Sequence, residues 1–350
     1  MKVVHIESGL GNQMLSYCEL LALKKVRPDD DYYIETLVYD IPAAGQAYSQ
    51  WNGFELKDIF KIQDKNICEY FSTEQWRRIE KYVEQSHFWE NCWNWPRYFV
   101  EAFKQEGLQL RSLMVDFEEL DKKSQKSLKS KLRANKGYQL LQKTYLFENM
   151  RRIHNEQKGA TKNQEKELLF YQGADDVLTG QRLAFEYVGN DIELIEEEIR
   201  NTFVFPELDR RNAEIAKKMK EQESVTIHVR RGDMLHLSAR YYKSGYFRRA
   251  TKFIKKQIEN PVFYFFCDPG SEEWCRKNES TFGLNFKKDA VFFVNWNAGK
   301  ESYRDMQLMS LCKHNIITNS SFGWWGAFLN QNPGKITISP EIDINTTHHM

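Results

Sequence analysis

The stretch SVTIHVR at residues 224–230 decides the fold class, because it is an apolar run of strand length that ends on charged residues. Similar short runs follow it: VFYFFC at 262–267, VFFV at 291–294, NIITN at 315–319 and KITIS at 335–339. The segments 246–259, 301–312 and 321–331 between them carry apolar residues at helical spacing. Runs that are apolar on both faces are typical of parallel strands covered by helices. We therefore predict a doubly wound α/β domain with five parallel strands.

The amino terminus opens in the same style, with a predicted strand at 3–7, a glycine-rich turn, a helix over 13–26 and a strand at 32–35. Between residues 51 and 189 the pattern loosens into aromatic segments, for which we predict mostly helix. An acidic helix ends near Pro206, which cannot continue it. We predict an amino-terminal domain over 1–205, with a variable and largely helical region at 40–190, and a carboxy-terminal domain over 206–350.

Composition excludes several classes of protein. The 350 residues have 41% hydrophobic content, enough to fill about two domain cores and too much for a disordered chain. A net charge of +1 predicts no nucleic-acid partner. Six scattered cysteines without metal spacing predict reduced thiols, and the absence of a long apolar run or signal-peptide pattern predicts a cytoplasmic protein.

A basic stretch at residues 122–136 has seven Lys or Arg and no acid. It would suit peripheral contact with the inner membrane face, where anionic lipids attract basic segments. A solvated helix face is the interpretation that the pattern favours.

The motif HVRRGD at residues 228–233 ends the strand 224–230. Because side chains alternate along a strand, His228 and Arg230 point to the same side. Ligands bind at the carboxyl ends of such strands, and the planar fork of Arg suits a phosphate. We predict an anionic ligand such as a diphosphate. The alternative is a structural ion pair of Arg230 or Arg231 with Asp233.

The segment TNSSFGWWG at 318–326 lies where a strand turns into a helix. Ser320 and Ser321 are good residues for a helix start, where N–H groups attract anions. A second anion contact is predicted here, and simple helix capping is the alternative. Trp324 and Trp325 are predicted to face the core.

The turn GLGNQM comprises Gly9, Gly11, Asn12 and Gln13 with Leu10 and Met14. It is a poor dinucleotide fingerprint, because Met14 replaces the third glycine and Glu35 is a weak ribose partner. Asn12 and Gln13 would suit sugar hydroxyls, and ordinary turn chemistry is the alternative. The chain has no GxxxxGK[ST], HExxH or GxSxG motif, and we predict no metal ligands.

The three motifs GLGNQM, HVRRGD and DMQLMSLCKHNIITNSSFGWWGAFL, the last followed by NPGKITISP, resemble glycosyltransferase family 11, the bacterial α-1,2-fucosyltransferases. The resemblance covers roughly residues 1–25 and 180–340. It implies a GT-B-like α/β fold of two Rossmann-like domains facing a cleft, with the nucleotide sugar in the carboxy-terminal domain and the acceptor mainly in the amino-terminal one. The implied reaction is inverting, metal-independent transfer of L-fucose from GDP-fucose to the 2-hydroxyl of a galactose-containing oligosaccharide.

The same resemblance assigns roles to the donor-side residues. Arg230 would hold the β-phosphate, His228 and Asp305 would lie at the guanosine, and Ser321 with Ser320 would bind the diphosphate. Gly323 stands where the family commonly has Ser.

Three further residues complete the predicted site. Asn12 would contact the reacting sugar together with the glycine loop, and Asp233 is the candidate general base. Asp268 follows a buried strand where the family has an acidic residue, although Pro269 replaces the second acid.

Other functions remain open at the level of sequence. A related transferase could move another GDP-sugar or act on another glycan or a protein. A catalytically silent carbohydrate-binding protein is the alternative from a different class, although a diphosphate clamp argues against it.

Overall fold

The computed structural model describes residues 1–46, 51–90, 93–112, 176–180, 195–232 and 241–340. The chain forms two compact units, neither of which is continuous in sequence. The first unit comprises Met1–Glu7, Ser16–Ser49 and Gln63–Glu197. The second comprises Ser8–Leu15, Gln50–Ile62 and Glu198–Met350. This division differs from a single boundary at 205/206, because the glycine loop and residues 50–62 pack with the carboxy-terminal part.

The first unit contains a parallel sheet with the strand order β2-β1-β4-β3. Its central strand pairs Val4 with Ile34 on one side and Val3 with Leu178 on the other. The strands are β1 (Lys2–His5), β2 (Tyr32–Glu35), β3 (Arg111–Ser112) and β4 (Val177–Thr179). Every side chain of β1 is buried, as expected for a central parallel strand.

Helices accompany this sheet, and all except the first of them lie in the described part of the region 40–190 that is predicted as largely helical. They are α1 (Leu10–Val26), α2 (Pro42–Gln46), α4 (Thr73–Gln85) and α5 (Trp95–Gln105). Helix α1 begins in the second unit and ends in the first, and α3 (Glu55–Phe60) lies in the second. Helix α4 begins with a capping box, in which Ser72 and Gln75 satisfy each other's backbone N–H groups. The basic stretch 122–136 lies outside the described residues.

The second unit contains the five parallel strands that the sequence predicts, in the order β7-β6-β5-β8-β9. They are β5 (Ser224–Val229), β6 (Val262–Cys267), β7 (Ala290–Val294), β8 (His314–Ile316) and β9 (Thr337–Ile338). The helices are α6 (Glu196–Thr202), α7 (Arg210–Glu221), α8 (Tyr246–Gln257), α9 (Glu272–Lys277), α10 (Tyr303–Leu311) and α11 (Ser321–Phe328). The prediction of an α/β fold with Rossmann-like parallel sheets is confirmed.

Some predicted bounds need correction. The predicted strand 3–7 ends at His5, because the backbone turns at Ser8 into the left-handed region with φ 72°. Helix α1 begins at Leu10 rather than Gln13, so Asn12 and Gln13 lie in its first turn. Strand β8 ends at Ile316, since Thr318–Ser320 already lead into α11. The five cysteines that the structure describes are free thiols, as predicted, and Cys92 lies outside these residues.

Candidate active site

The strand order of the second unit reverses beside β5. The chain proceeds from β5 outward to β6 and β7 and then returns to place β8 on the other side of β5. In open α/β sheets, ligands bind outside the carboxyl ends of the strands at such a switch point. The residues that follow β5 and β8 are those of the HVRRGD and TNSSFG motifs, so the topology brings the two predicted anion contacts to one edge of the sheet.

His228 lies near the end of β5 and is only 5% exposed. Its Nδ1 lies 3.2 Å from the hydroxyl of Thr318, and its ring stacks on Phe322 with 6.2 Å between ring centroids. Burial, with the positive charge of Arg230 as a second cause, lowers the pKa of His228 to about 3. The imidazole is therefore neutral at physiological pH and adds hydrogen-bonding capacity but no charge.

Gly323 allows this histidine to lie against helix α11. A Cβ atom at position 323 would lie 2.4 Å from Nδ1 of His228, closer than any side chain tolerates. The family commonly has Ser at this position, and the close packing of His228 explains why this chain has Gly instead.

The two adjacent arginines of the motif have different surroundings. The guanidinium of Arg231 lies 3.4 Å from the ring centroid of Trp274, and Tyr242 flanks it at 5.2 Å. Arg230 is partly exposed just beyond β5, and its carbonyl accepts a hydrogen bond of 2.9 Å from the Tyr242 hydroxyl. This stacking packs the Arg231 guanidinium against the fold. Asp233, the predicted partner or base, lies outside the described residues.

Asp268 shapes the turn after β5. Its carboxylate accepts hydrogen bonds from the backbone N–H groups of Arg231, at 3.0 and 3.2 Å, and of Gly232. These contacts make Asp268 a positioning residue for the turn that carries Arg230. The sequence pattern indicated an acid after β6 but not which atoms it would bind.

Helix α11 begins directly after Ser320. The Ser320 carbonyl accepts the N–H of Trp324 at 2.9 Å, and within the described part of the chain the Ser320 hydroxyl makes no capping bond. The hydroxyl of Ser321 donates to Oδ1 of Asn12 at 2.7 Å. The structure thus brings together Ser321 and Asn12, which the sequence separates by most of the chain. Trp324 and Trp325 are 2% and 0% exposed, in agreement with the core interpretation.

Gly11 explains how the glycine loop reaches this helix. A Cβ atom at Gly11 would lie 2.7 Å from the backbone nitrogen of Phe322 and 2.8 Å from Ser321. The indole N–H of Trp325 also donates to the Gly11 carbonyl at 2.8 Å. In this fold Gly11 serves close packing of two backbone segments, and this packing places Asn12 beside Ser321.

Gln13 is fully buried, and its side-chain amide anchors the glycine loop through hydrogen bonds to the backbone. Its amide nitrogen donates to the carbonyls of Ser8 and Gly53 at 3.0 and 2.9 Å. Its amide oxygen accepts the N–H groups of Glu55 and Leu56 at 2.9 and 3.4 Å. All four hydrogen-bonding positions of this amide are filled. Gln13 is therefore a positioning residue for the glycine loop.

Glu55 is a buried carboxylate that sequence reasoning missed. It accepts the N–H of Leu10 at 3.0 Å and the side-chain amide of Asn52 at 3.2 Å. Burial raises the pKa of Glu55 to about 7, and these two hydrogen bonds oppose the rise. The only local sign of this carboxylate in the sequence is an acidic residue near the start of the segment FELKDIF. Its partner Leu10 is distant in sequence, so the contact could not be predicted.

Asp305 lies in helix α10, in a polar cluster with Asn297, a residue that follows β7 in the chain. Its carboxylate accepts a hydrogen bond of 2.8 Å from the amide of Asn297, which also bonds Asn212 at 3.1 Å. Burial raises the pKa of Asp305 to about 7. The carboxyl therefore exchanges its proton near neutrality.

The second unit is thus a Rossmann-like domain whose parallel sheet has Arg230, a neutral His228 and the start of helix α11 at its switch point. Residues 193–347 match the model of glycosyl transferase family 11. The resemblance noted in the motifs is thereby confirmed.

Three relatives illustrate the similarity. The chain is 32% identical over 149 residues to an alpha-1,2-colitosyltransferase of Escherichia coli, covering 41% of this chain and 49% of the relative. It is 34% identical over 122 residues to the Escherichia coli O-antigen biosynthesis glycosyltransferase WbnK, covering 33% and 38%. It is 29% identical over 148 residues to galactoside alpha-(1,2)-fucosyltransferase 1 of Leontocebus fuscicollis, covering 39% of each chain. The alignments thus span less than half of each relative.

Among solved structures, the fold is similar to fucosyltransferase NodZ from Bradyrhizobium. The TM-score is 0.44 at 11% sequence identity, and the alignment covers 93% of this chain and 91% of the other. Within the described residues, no helix is long and apolar enough to span a bilayer.

Proposed function

We propose that this protein is a GDP-sugar glycosyltransferase that transfers L-fucose from GDP-fucose to the 2-hydroxyl of a galactose-terminated glycan. The observation that carries the proposal is the meeting of the family motifs at one switch point, where Asn12 bonds Ser321 beside the strand that bears His228 and Arg230. The family match over residues 193–347 supports the same class of reaction.

In the proposed mechanism, the acceptor oxygen attacks the anomeric carbon of the donor and forms the new glycosidic bond. The bond from that carbon to the diphosphate breaks, and GDP leaves with the electron pair. The acceptor proton passes to a base or to solvent, with Asp233 as the candidate base.

Charge on the leaving diphosphate is the main electrostatic demand of this reaction. Arg230 offers two parallel N–H donors to phosphate oxygens, and the first turn of α11 adds a partial positive charge. In this proposal these groups replace a divalent cation, so no cofactor is required. A preorganised site of this kind stabilises the transition state without rearranging at the moment of reaction.

His228 and Asp305 are assigned to the guanosine in this proposal. A neutral His228 can hydrogen-bond the nucleoside without competing for the phosphate charge. An ionised Asp305 can accept two N–H groups from a guanine edge.

The test measures GDP release from GDP-fucose in EDTA, with and without lactose or N-acetyllactosamine, and determines product mass and linkage. Acceptor-dependent release and a galactose fucosylated at its 2-hydroxyl are expected. If EDTA abolishes the activity and Mg²⁺ or Mn²⁺ restores it, the proposed metal independence is wrong. Absence of GDP binding in calorimetry would overturn the donor assignment, and GDP binding without transfer to any glycan would indicate a binding protein.

Transfer of colitose is a second candidate, because a relative at 32% identity is named as a colitosyltransferase. Offering nucleotide-activated colitose beside GDP-fucose separates the two. The donor with the higher kcat/KM identifies the sugar.

A further inference from the structure

A buried array of ionisable groups lies in the first unit, outside the site described above. His5, the last residue of β1, is fully buried, and its Nδ1 forms a hydrogen-bonded ion pair with Glu35 at the end of β2. The second carboxylate oxygen of Glu35 accepts the N–H of Leu37 at 2.5 Å. Glu35 therefore orients the ring of His5 and does not serve as the ribose partner considered from the sequence.

The other side of the same ring faces Glu7. Nε2 of His5 lies 3.5 Å from Oε2 of Glu7, and the indole N–H of Trp93 donates to the same oxygen. The Glu7 side chain is 14% exposed, whereas His5 and Glu35 are not exposed at all. The array thus leads from a buried carboxylate through an imidazole to a carboxylate that is partly exposed.

The surroundings fix this arrangement tightly. The ring of His5 stacks on Trp95 with 3.6 Å between centroids. A Cβ atom at Gly180 would lie 2.7 Å from that of His5, so only glycine fits there. Trp93 adopts φ 58°, which is unusual for a bulky residue and is maintained here by the surrounding structure.

Charge is also balanced around His5. Burial alone would lower the pKa of His5, but the charges and hydrogen bonds of Glu35 and then Glu7 outweigh burial and raise the pKa to about 9. A protonated His5 therefore neutralises part of the negative charge of Glu7 at physiological pH. A carboxylate paired in this way does not require a cationic ligand.

We propose that Glu7 binds a hydroxyl group of the acceptor sugar in the first unit, with His5 and Glu35 as positioning residues. A carboxylate oxygen is a strong acceptor for a sugar hydroxyl, and the indole of Trp93 supplies the aromatic neighbour that carbohydrate sites commonly use. The proposal rests on the proposed function, since it assigns the acceptor side of the same reaction. It places one acceptor contact at the carboxyl end of a parallel strand, where ligands of α/β sheets bind.

The test compares wild type with Glu7→Gln, which keeps the side-chain shape but removes the charge. Binding of lactose and N-acetyllactosamine is measured by ligand-observed NMR in the presence of saturating GDP, and GDP affinity is measured separately by calorimetry. We expect galactoside affinity to fall about 10-fold or more, because hydrogen bonds to charged groups are the strong ones. GDP affinity is expected to stay within about twofold, because the proposal assigns Glu7 to the acceptor and not to the donor.

Matched variants separate binding from folding. Glu84→Gln changes an exposed glutamate of α4 in the same unit and should leave both affinities unchanged. Trp93→Phe removes the indole donor to Glu7 and should weaken galactoside binding less than Glu7→Gln does. Near-ultraviolet circular dichroism confirms that each variant keeps its tertiary packing. In active preparations, Glu7→Gln should raise the acceptor KM and leave the donor KM unchanged.

One result would overturn this proposal alone: a Glu7→Gln protein that binds galactosides like wild type. A wild type that binds neither galactoside, or that does not bind GDP, would instead contradict the proposed function on which the proposal rests, so the two failures are distinguishable.

Discussion

Neighbouring residues with similar side chains have different surroundings in this protein. Arg231 stacks on Trp274, whereas Arg230 lies at the strand end with His228. The side-chain amide of Gln13 is fully hydrogen-bonded to backbone groups, whereas the Asn12 side chain accepts a hydrogen bond from Ser321. The alternation of strand side chains predicted that Arg230 shares a side with His228, but it did not predict the stacking of Arg231 on Trp274. Nothing local predicted the second, because the partners of Gln13 at residues 53–56 are distant in sequence.

The role proposed for Arg230 is tested by two substitutions. Arg230→Ala should reduce kcat/KM about 100-fold or more, and Arg230→Lys should recover little, because an ammonium group cannot bond a phosphate bidentately. Steady-state kinetics with GDP-fucose measure both effects. Arg210→Ala, at a surface arginine whose side chain is 94% exposed, is the control and should behave like wild type. Wild-type kinetics for the Lys variant would place the diphosphate elsewhere.

Between elements, the close approach of the glycine loop to helix α11 organises the candidate site. Gly11 lies against Ser321 and Phe322, and Trp325 bonds the loop carbonyl. Glu55 caps the start of α1 by accepting the N–H of Leu10. Strand periodicity and helix-start residues predicted each element, but the contact between the loop and α11 depends on backbone packing that has no local pattern.

Gly11→Ala tests this contact. A methyl group 2.7 Å from the nitrogen of Phe322 must push two backbone segments apart. We expect a loss of about 1–3 kcal/mol in the free energy of unfolding, together with weaker GDP binding. Chemical denaturation and calorimetry measure the two quantities. Gly334→Ala, at a position with open space around it, is the control. Full stability and GDP affinity in Gly11→Ala would contradict the packing role.

Across the whole molecule, the net charge is close to zero, but several buried ionisable groups have shifted pKa values. His5 has its pKa raised to about 9, and Glu55 and Asp305 have theirs raised to about 7. For each of these groups the folded state binds more protons than the unfolded state, so stability falls as pH rises through the shifted range. His228, with its pKa lowered to about 3, has the opposite effect, but only below pH 6.5.

Stability should therefore fall as pH rises from 6.5 to 9. In this window the contribution of His5 is lost as its proton leaves the pair with Glu35. The melting temperature, followed by circular dichroism across this range, should decline, and His5→Gln should flatten the decline. His87→Asn, at an exposed histidine of the same unit whose φ of 48° Asn tolerates, should keep the wild-type slope. An unchanged slope in His5→Gln would contradict the assignment.

Local information in the chain was sufficient for the parallel α/β class, the strands of the second unit and the motifs at their ends, because periodicity and strand ends depend on adjacent residues. The full occupation of the Gln13 amide, the turn-shaping role of Asp268 and the array from Glu35 through His5 to Glu7 emerged only from three-dimensional packing. The physical reason is that each depends on a hydrogen-bond partner or a close backbone approach between distant segments. Such contacts leave no periodic signal, since they are set by where folded elements meet.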